Sequence, residues 1–270
     1  MLVQPTVRLV ALAVLALALA GCGGKDAVDG GGPDVSPVVG ACRVLTPALT
    51  AQPSNTTAPV ACTKTHTAET FLTGAFPADV AAAGYDSPGL GSYVYGVCQP
   101  AFATWLGGDE SIAMRTVLSW SWFRPGKDAW KSAKEHTFRC DVIGAPNSAL
   151  ARTPTTYRAL PRTTKGMLAA APPDGYMLCA RGQQVTGSPK VACAEPHDWR
   201  AVTTVKLGQP TDPYPGDRLA QIRSQEFCSD SVGGWLGYPS TNYDYGVTVF
   251  HEAEWKAGNR RSICWARTTS

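Results

Sequence analysis

Eight cysteines, arranged as two similar groups of four, constrain the fold of this 270-residue chain more than any other feature. They are Cys42, Cys62, Cys98 and Cys140, followed by Cys179, Cys193, Cys228 and Cys264. A ninth cysteine, Cys22, stands apart near the N-terminus. An even number of cysteines in an exported chain is typical of a disulfide framework. The sequence therefore predicts four disulfides.

The two groups of cysteines lie in similar sequence. Cys62-Thr-Lys-Thr-His66 has a counterpart in Cys193-Ala-Glu-Pro-His197. In each group, the third cysteine is followed at the seventh position by Trp-Leu-Gly, which begins at Trp105 and at Trp235. Another tryptophan, Trp130 or Trp255, precedes the fourth cysteine of each group. Self-similarity at a long period indicates a duplicated unit. We predict repeats at 38–143 and 167–270, joined by a proline-containing linker at 144–166.

Periodicity within each copy predicts a mixed α+β unit. Short strands are expected at the first two cysteines, and apolar residues at spacings of three and four predict a helix from Leu90 to Trp105, ended by Gly107-Gly108. A more polar helix is expected from about Asp217 to Trp235, and two alternating strands follow each helix. The predicted fold is α+β, with two tandem disulfide-stapled ββαββ-type domains.

Four cysteines in each copy permit three pairings, and the sequence alone does not select among them. We expect the first to pair with the second and the third with the fourth. The first pair flanks a connection between neighbouring strands, whereas the second would tie the helix to the last strand.

The N-terminus has the features of a secretory leader. Twelve apolar residues, Leu9 to Ala20, are too few to span a bilayer, and Leu19-Ala20-Gly21-Cys22 resembles the lipobox of bacterial lipoproteins. An ordinary leader with a chance cysteine is the alternative. We predict a signal peptide at 1–21, acylation of Cys22 (palmitate), and a flexible tether at 22–37. The lipid bilayer would then be one partner, and the protein would sit on the outer face of the cytoplasmic membrane.

Overall charge argues against a nucleic-acid partner. The formal net charge is +3, and only 17% of the residues are charged. Without Arg8, which would leave with the leader, the charge falls to +2. A nucleic-acid-binding domain typically carries a strongly basic patch.

The recurrent histidines raise two chemical alternatives. Cys-x3-His occurs twice and suggests zinc, but a cysteine ligates zinc only as a free thiolate, and paired cysteines in an oxidising compartment are unsuited to that role. Acid–base catalysis would use His66 with Glu69, or His197 with Asp198. Glu69 aligns with Arg200, however, so the two copies share no acid–base pair. We expect no catalytic residue, no metal and no cofactor.

The tryptophans divide by their predicted positions. Trp105 and Trp235 are expected in the core because they fall on the apolar faces of their helices. Trp130 and Trp255 fall in predicted loops, where a binding surface and core packing are equally open. The candidate binding surface therefore comprises His66, Glu69, His197, Trp130 and Trp255.

These motifs resemble those of the septum formation family. The family pattern has Val-x-Cys-x-x-Pro-His-x-x-Glu, a helical cysteine, Trp-x-x-Gly-x-Arg and a last cysteine. Val60-Ala-Cys62-Thr-Lys-Thr-His66-Thr-Ala-Glu69 matches it with threonine in place of proline, and Val191-Ala-Cys193-Ala-Glu-Pro-His197 keeps the proline but has Arg200 in place of glutamate. Trp255-Lys-Ala-Gly258-Asn-Arg260 matches the closing motif, whereas the segment at Trp130 lacks its glycine and arginine.

The resemblance implies a non-enzymatic, membrane-attached envelope protein connected with septum formation or cell division. We expect a binding or scaffold role with an unidentified envelope protein or wall component. The alternatives are a metal-dependent or histidine-based envelope enzyme and a ligand-binding envelope protein.

Overall fold

Two antiparallel sheets form the framework of the protein. The computed structural model describes residues 37–134, 136–146, 155–237 and 243–268. The predicted signal peptide, Cys22 and nearly all of the predicted tether lie outside these residues. Within them, no helix has both the length and the hydropathy that a membrane span requires.

The first half of the chain builds a four-stranded sheet in the order β1-β2-β4-β3. The longest helix of this half, α3, packs against β2. It carries Cys98, which forms a disulfide with Cys140 of the inner strand β4. The elements are β1 Cys42–Arg43, α1 Pro47–Thr50, β2 Ala68–Ala75, α2 Ala78–Ala82, α3 Pro88–Leu106, α4 Glu110–Ala113, β3 Ser119–Phe123, α5 Lys127–Ser132 and β4 Thr137–Ile143.

The second half builds a five-stranded sheet in the order β6-β5-β7-β9-β8. Its long helix, α6, packs against β7, β8 and β9. The elements are β5 Leu178–Ala180, β6 Lys190–Ala192, β7 Trp199–Lys206, α6 Asp217–Leu236, β8 Tyr245–Thr248, α7 Glu252–Ala257 and β9 Arg261–Arg267.

The main strands and the long helices of the two halves correspond. In both, a short strand pairs with the long strand that follows the Cys-x3-His motif, and that long strand pairs with the last strand. Both long strands carry a bulge at the same place, between Thr70 and Leu72 in β2 and between Ala201 and Thr203 in β7. The α+β class is confirmed, whereas internal duplication stays a prediction.

Two strands precede and two follow the long helix of the first half, but the second half departs from this order, so the ββαββ architecture stays a prediction. Three strands precede the long helix of the second half, because the alternating residues after Cys193 form the separate strand β7. In the first half, two strands precede the helix. Cys62 lies in no strand, and the residue two before it, Val60, forms only an isolated β-bridge with Cys42.

Four disulfides join Cys42 to Cys62, Cys98 to Cys140, Cys179 to Cys193, and Cys228 to Cys264. This is the pairing expected from the sequence. Their sequence separations range from 14 to 42 residues, and loops of that size each contribute about 3–4 kcal/mol in the chain-entropy model. In each half, one bridge joins the first two cysteines at the edge of the sheet. The other joins the long helix to an inner strand, β4 or β9.

Helix α3 follows the sequence prediction closely. Pro88 occupies the first turn, where its missing N–H costs no hydrogen bond, and the Ser87 side chain accepts from Gly89 N. At the other end Gly107 adopts a left-handed conformation with φ of 85°, which suits a residue without a side chain. Residues four apart are buried along its core face: Leu90, Val94, Cys98, Phe102 and Leu106.

The connecting segment, defined here as residues 155–168, lies against the first half. Leu160 and Leu168 join the core cluster of that half, and Thr164 is fully buried. The segment includes residues 155–166 of the predicted linker. Further contacts join the halves, including an antiparallel bridge between Thr116 and Met177, and the described residues belong to one compact unit.

Candidate functional site

His66 and Glu69 are built into the frame of the first half. His66 is 1% exposed, and its Nδ1 lies 2.8 Å from the carbonyl oxygen of Lys64. Glu69, on β2, is 2% exposed and accepts hydrogen bonds from Thr163 Oγ1, Thr164 N and Thr164 Oγ1, each at 2.6 Å. Both side chains are covered by the connecting segment, so they do not form an exposed binding surface.

Trp130 and Trp255 are also buried, in contrast to the expected surface. The sequence placed them in loops, but each lies on a short helix, α5 or α7, and is 6% and 4% exposed respectively. Trp130 packs against Phe76, with ring centroids 5.6 Å apart. Trp255 packs against Phe250, with ring centroids 5.2 Å apart, and donates from Nε1 to a backbone carbonyl. They anchor these helices to the core.

The equivalent positions of the second half line a cavity of about 360 Å³, here called the central cavity. His197 follows Cys193 as His66 follows Cys62, and its Nδ1 lies 2.7 Å from the carbonyl oxygen of Glu195. Arg200 takes the position of Glu69 and pairs through Nη2 with Asp174 Oδ1 at 2.6 Å. Among the five candidates, His197 is the one that reaches an open site.

Trp235 at the end of α6 also lines the central cavity and is 50% exposed. The expectation that it belongs to the core is therefore wrong. Its counterpart Trp105 is partly buried because its Nε1 donates to Thr164 Oγ1 of the connecting segment, at 2.9 Å. The connecting segment covers Trp105, whereas no equivalent segment among the described residues covers Trp235.

The first half supplies another wall of the central cavity, through Ile112 and Arg115. Arg115 donates from Nη1 to the carbonyl oxygen of Val202 at 2.7 Å and from Nε to that of Ser111 at 3.1 Å. Burial lowers the pKa of Arg115. A largely desolvated guanidinium therefore stands beside apolar side chains, an arrangement that favours an anionic group as ligand.

Thr268, just after β9, adds a polar atom to the same cavity. Its Oγ1 is buried and has no hydrogen-bond partner among the described residues. A buried hydroxyl without a partner costs free energy, and a ligand in the cavity could supply that partner.

A second cavity of about 340 Å³ lies between α3 and the segment after α7. Tyr95 lines it, and burial is the main cause that raises its pKa to about 12. Arg260 and Arg261 also line it, but their donors are occupied. Arg260 bonds to the backbone carbonyls of Gln209 and Pro210, and Arg261 pairs with Glu110 at 2.9 Å. The Arg261–Glu110 ion pair joins the two halves, whereas the Arg260 contacts lie within the second half.

The cysteines of both Cys-x3-His motifs are disulfide-bonded, so neither offers a thiolate. Within the described ranges no group of three or more histidine, cysteine, aspartate or glutamate side chains could hold a metal ion. Arg115 and Trp235 were not among the candidate site residues. Arg115 lies in no recurrent motif, and Trp235 was expected in the core. Arg200 was visible in the sequence only as a departure from the glutamate of the first copy.

The fold and its bridges define a class, namely α+β proteins with two corresponding sheets, each stapled by two disulfides. The septum formation family profile matches residues 39–264, which cover most of the chain. The chain belongs to the septum formation family. No curated protein and no solved structure matches it. Its disulfides and its family fit an extracytoplasmic protein with a role in the cell envelope or in cell division.

Proposed function

We propose that this protein is a lipid-anchored extracytoplasmic protein that acts in septum formation as a non-enzymatic binding or scaffold component of the cell envelope. Family membership supports the septal role. The four disulfides support an oxidising compartment. Leu19-Ala20-Gly21-Cys22 supports the lipid anchor, with Cys22 as the acylated residue on the outer face of the membrane.

The central cavity is the observation that carries the binding role. It presents Arg115, Arg200 and a half-exposed indole, Trp235. Arginine and tryptophan are the residue types that most often dominate protein recognition sites. The acid–base candidates of the first half, by contrast, are engaged in its internal hydrogen bonds. The accessible groups are therefore suited to holding a partner.

The correspondence of the two halves fits an internal duplication in which the copies have diverged. In the first copy the connecting segment covers His66 and Glu69. In the second, His197 and Arg200 line an open cavity. We propose that the first copy is mainly structural and that the second copy supplies the binding site.

The test is the position of a C-terminal fusion to a fluorophore that matures outside the cytoplasm, followed through a division cycle. We expect enrichment at the septum for the native chain. A Cys22→Ala chain should lose membrane attachment while keeping its fold, which separates anchoring from binding. A uniform envelope signal throughout the cycle would contradict the septal role.

The enzyme alternative has a separate test. Thiol counting with and without denaturant should find eight oxidised cysteines and no bound metal in the mature protein. Free Cys62 and Cys193 with stoichiometric metal would favour a metal-dependent envelope enzyme instead.

A further inference from the structure

The connecting segment shows how one half of this fold binds a stretch of chain that has no regular secondary structure and forms a turn at residues 165–168. Thr164 Oγ1 donates to Glu69 Oε2 at 2.6 Å and accepts from Trp105 Nε1 at 2.9 Å. On either side of it, Leu160 N donates to the carbonyl oxygen of His66 at 2.8 Å, and Leu168 N donates to that of Leu106 at 2.7 Å. Backbone and side chain together therefore hold this segment in a groove between β2 and the end of α3.

The second half has the corresponding groove without such a segment among the described residues. Arg200 stands at the position of Glu69, and Trp235 at that of Trp105. In place of a filled groove, these residues line the central cavity. The buried, unpartnered hydroxyl of Thr268 lies at the same site. In the first half Gly144 takes the position of Thr268, and it lies against the connecting segment. A Cβ at Gly144 would lie only 2.2 Å from the carbonyl oxygen of Arg158.

The charge of the groove is reversed relative to the first half. Glu69 accepts N–H and O–H donors from its occupant, whereas Arg200 can only donate. Arg115 adds a second guanidinium, and none of the described lining residues has a carboxylate side chain. Asp174, whose side chain is 54% exposed, pairs with one nitrogen of Arg200. The guanidinium has further N–H donors that this ion pair does not use. The complementary occupant carries a carboxylate.

We propose that the central cavity binds a segment of a partner protein that carries an acidic side chain, placed on the second half as the connecting segment is placed on the first. The acidic side chain of this segment pairs with Arg200 and Arg115, and a flanking side chain packs on Trp235. In the first half Lys165 Nζ lies 5.5 Å from the ring centroid of Trp105, which shows the equivalent contact. The inference deepens the proposed function, on which it rests, by naming the kind of partner.

The connecting segment itself provides the probe. A labelled ten-residue peptide with the sequence of 159–168 and the change Thr164→Glu is titrated against the full chain by fluorescence anisotropy. The same peptide with Thr164→Lys is the matched control. We expect the glutamate peptide to bind at least about ten-fold more tightly, because one charge-assisted hydrogen bond contributes about 1.5–3 kcal/mol. Equal binding of the two peptides would overturn the proposal.

Two variants of the protein locate the contact. Arg200→Glu should reverse the preference between the two peptides. Trp235→Ala should weaken binding of the glutamate peptide about ten-fold while leaving the thermal transition unchanged, because this indole is half exposed. Binding that neither variant alters would place the peptide elsewhere and refute the inference.

Two further measurements exclude other occupants. If N-acetylglutamate amide competes as well as the whole peptide, a small anion is the ligand and the proposed segment is refuted. Sedimentation that shows self-association which the glutamate peptide does not reverse would assign the groove to a second copy of the chain. Peptide binding does not depend on cell position, so its failure leaves the septal test intact, and a uniform envelope signal leaves the groove test intact.

Discussion

Replacing Thr164 by valine tests whether one hydroxyl holds the connecting segment to the first half. Valine keeps the shape of the side chain, so no cavity forms, but Glu69 loses one of three donors and Trp105 Nε1 loses its acceptor. A hydrogen bond to a charged group contributes about 1.5–3 kcal/mol, and an orphaned buried donor costs about 1–3 kcal/mol. Because the Trp105 side chain is partly exposed, we take the lower part of both ranges, about 3 kcal/mol in total.

The assay is thermal unfolding followed by calorimetry. For a chain of this size, 1 kcal/mol shifts the midpoint by about 2–4 °C, so Thr164→Val should lower it by about 6–12 °C. Thr164→Ser keeps the hydroxyl and removes one buried methyl, at about 1 kcal/mol. Thr104→Val changes an exposed threonine and should have a smaller effect still. A loss for Thr164→Val no larger than that for Thr164→Ser would refute the role assigned to the hydroxyl.

Three other predictions follow from the structure. Trp130→Ala should cost about 3–5 kcal/mol of unfolding free energy, whereas Trp235→Ala should cost well under 1 kcal/mol; denaturant melts compare them. Gly258→Ala should destabilise by about 1–2 kcal/mol, because φ is 117° there. Asp217 raises the pKa of His251 by accepting its hydrogen bond, so an NMR titration should show that pKa falling in Asp217→Asn. Because the folded pKa is raised, this contact stabilises at low pH and fades as pH rises through that value.

The sequence predicted the features that depend on local signals. Helix α3 has a proline in its first turn, a regular apolar face and a terminal glycine, and all three lie within twenty residues. The disulfide pairing was expected from the positions of the cysteines on the predicted strands and helix, although four cysteines in each half permit three pairings. The mixed fold class follows from the alternation of strands around a single long helix.

Burial at the recurrent tryptophans could not be predicted, because it depends on distant chain. Trp105 and Trp235 sit in the same Trp-Leu-Gly motif, but Trp105 bonds to Thr164, 59 residues away. Trp130 and Trp255 lie in sequences without a clear apolar period, because α5 and α7 have six residues each. Their burial comes from aromatic neighbours on other elements.

The candidate site was predicted least well, for a related reason. His197 was found through the repeated motif, and it does line the central cavity. Arg115 belongs to the first half and reaches the second through the carbonyl oxygen of Val202, 87 residues further along. A site assembled from two halves of a chain carries no spacing that a motif search could detect.

The difference between Glu69 and Arg200 follows from what covers each position. The connecting segment offers Glu69 three hydrogen-bond donors, so an arginine there would meet donors with no acceptor. A buried charge without a partner costs about 3–5 kcal/mol, which excludes arginine from the first half as long as the segment is in place. Arg200 faces a cavity and reaches a half-exposed carboxylate, so the second half tolerates either charge. The covered position of the first half therefore requires a carboxylate, whereas the open position of the second half accommodates a cation.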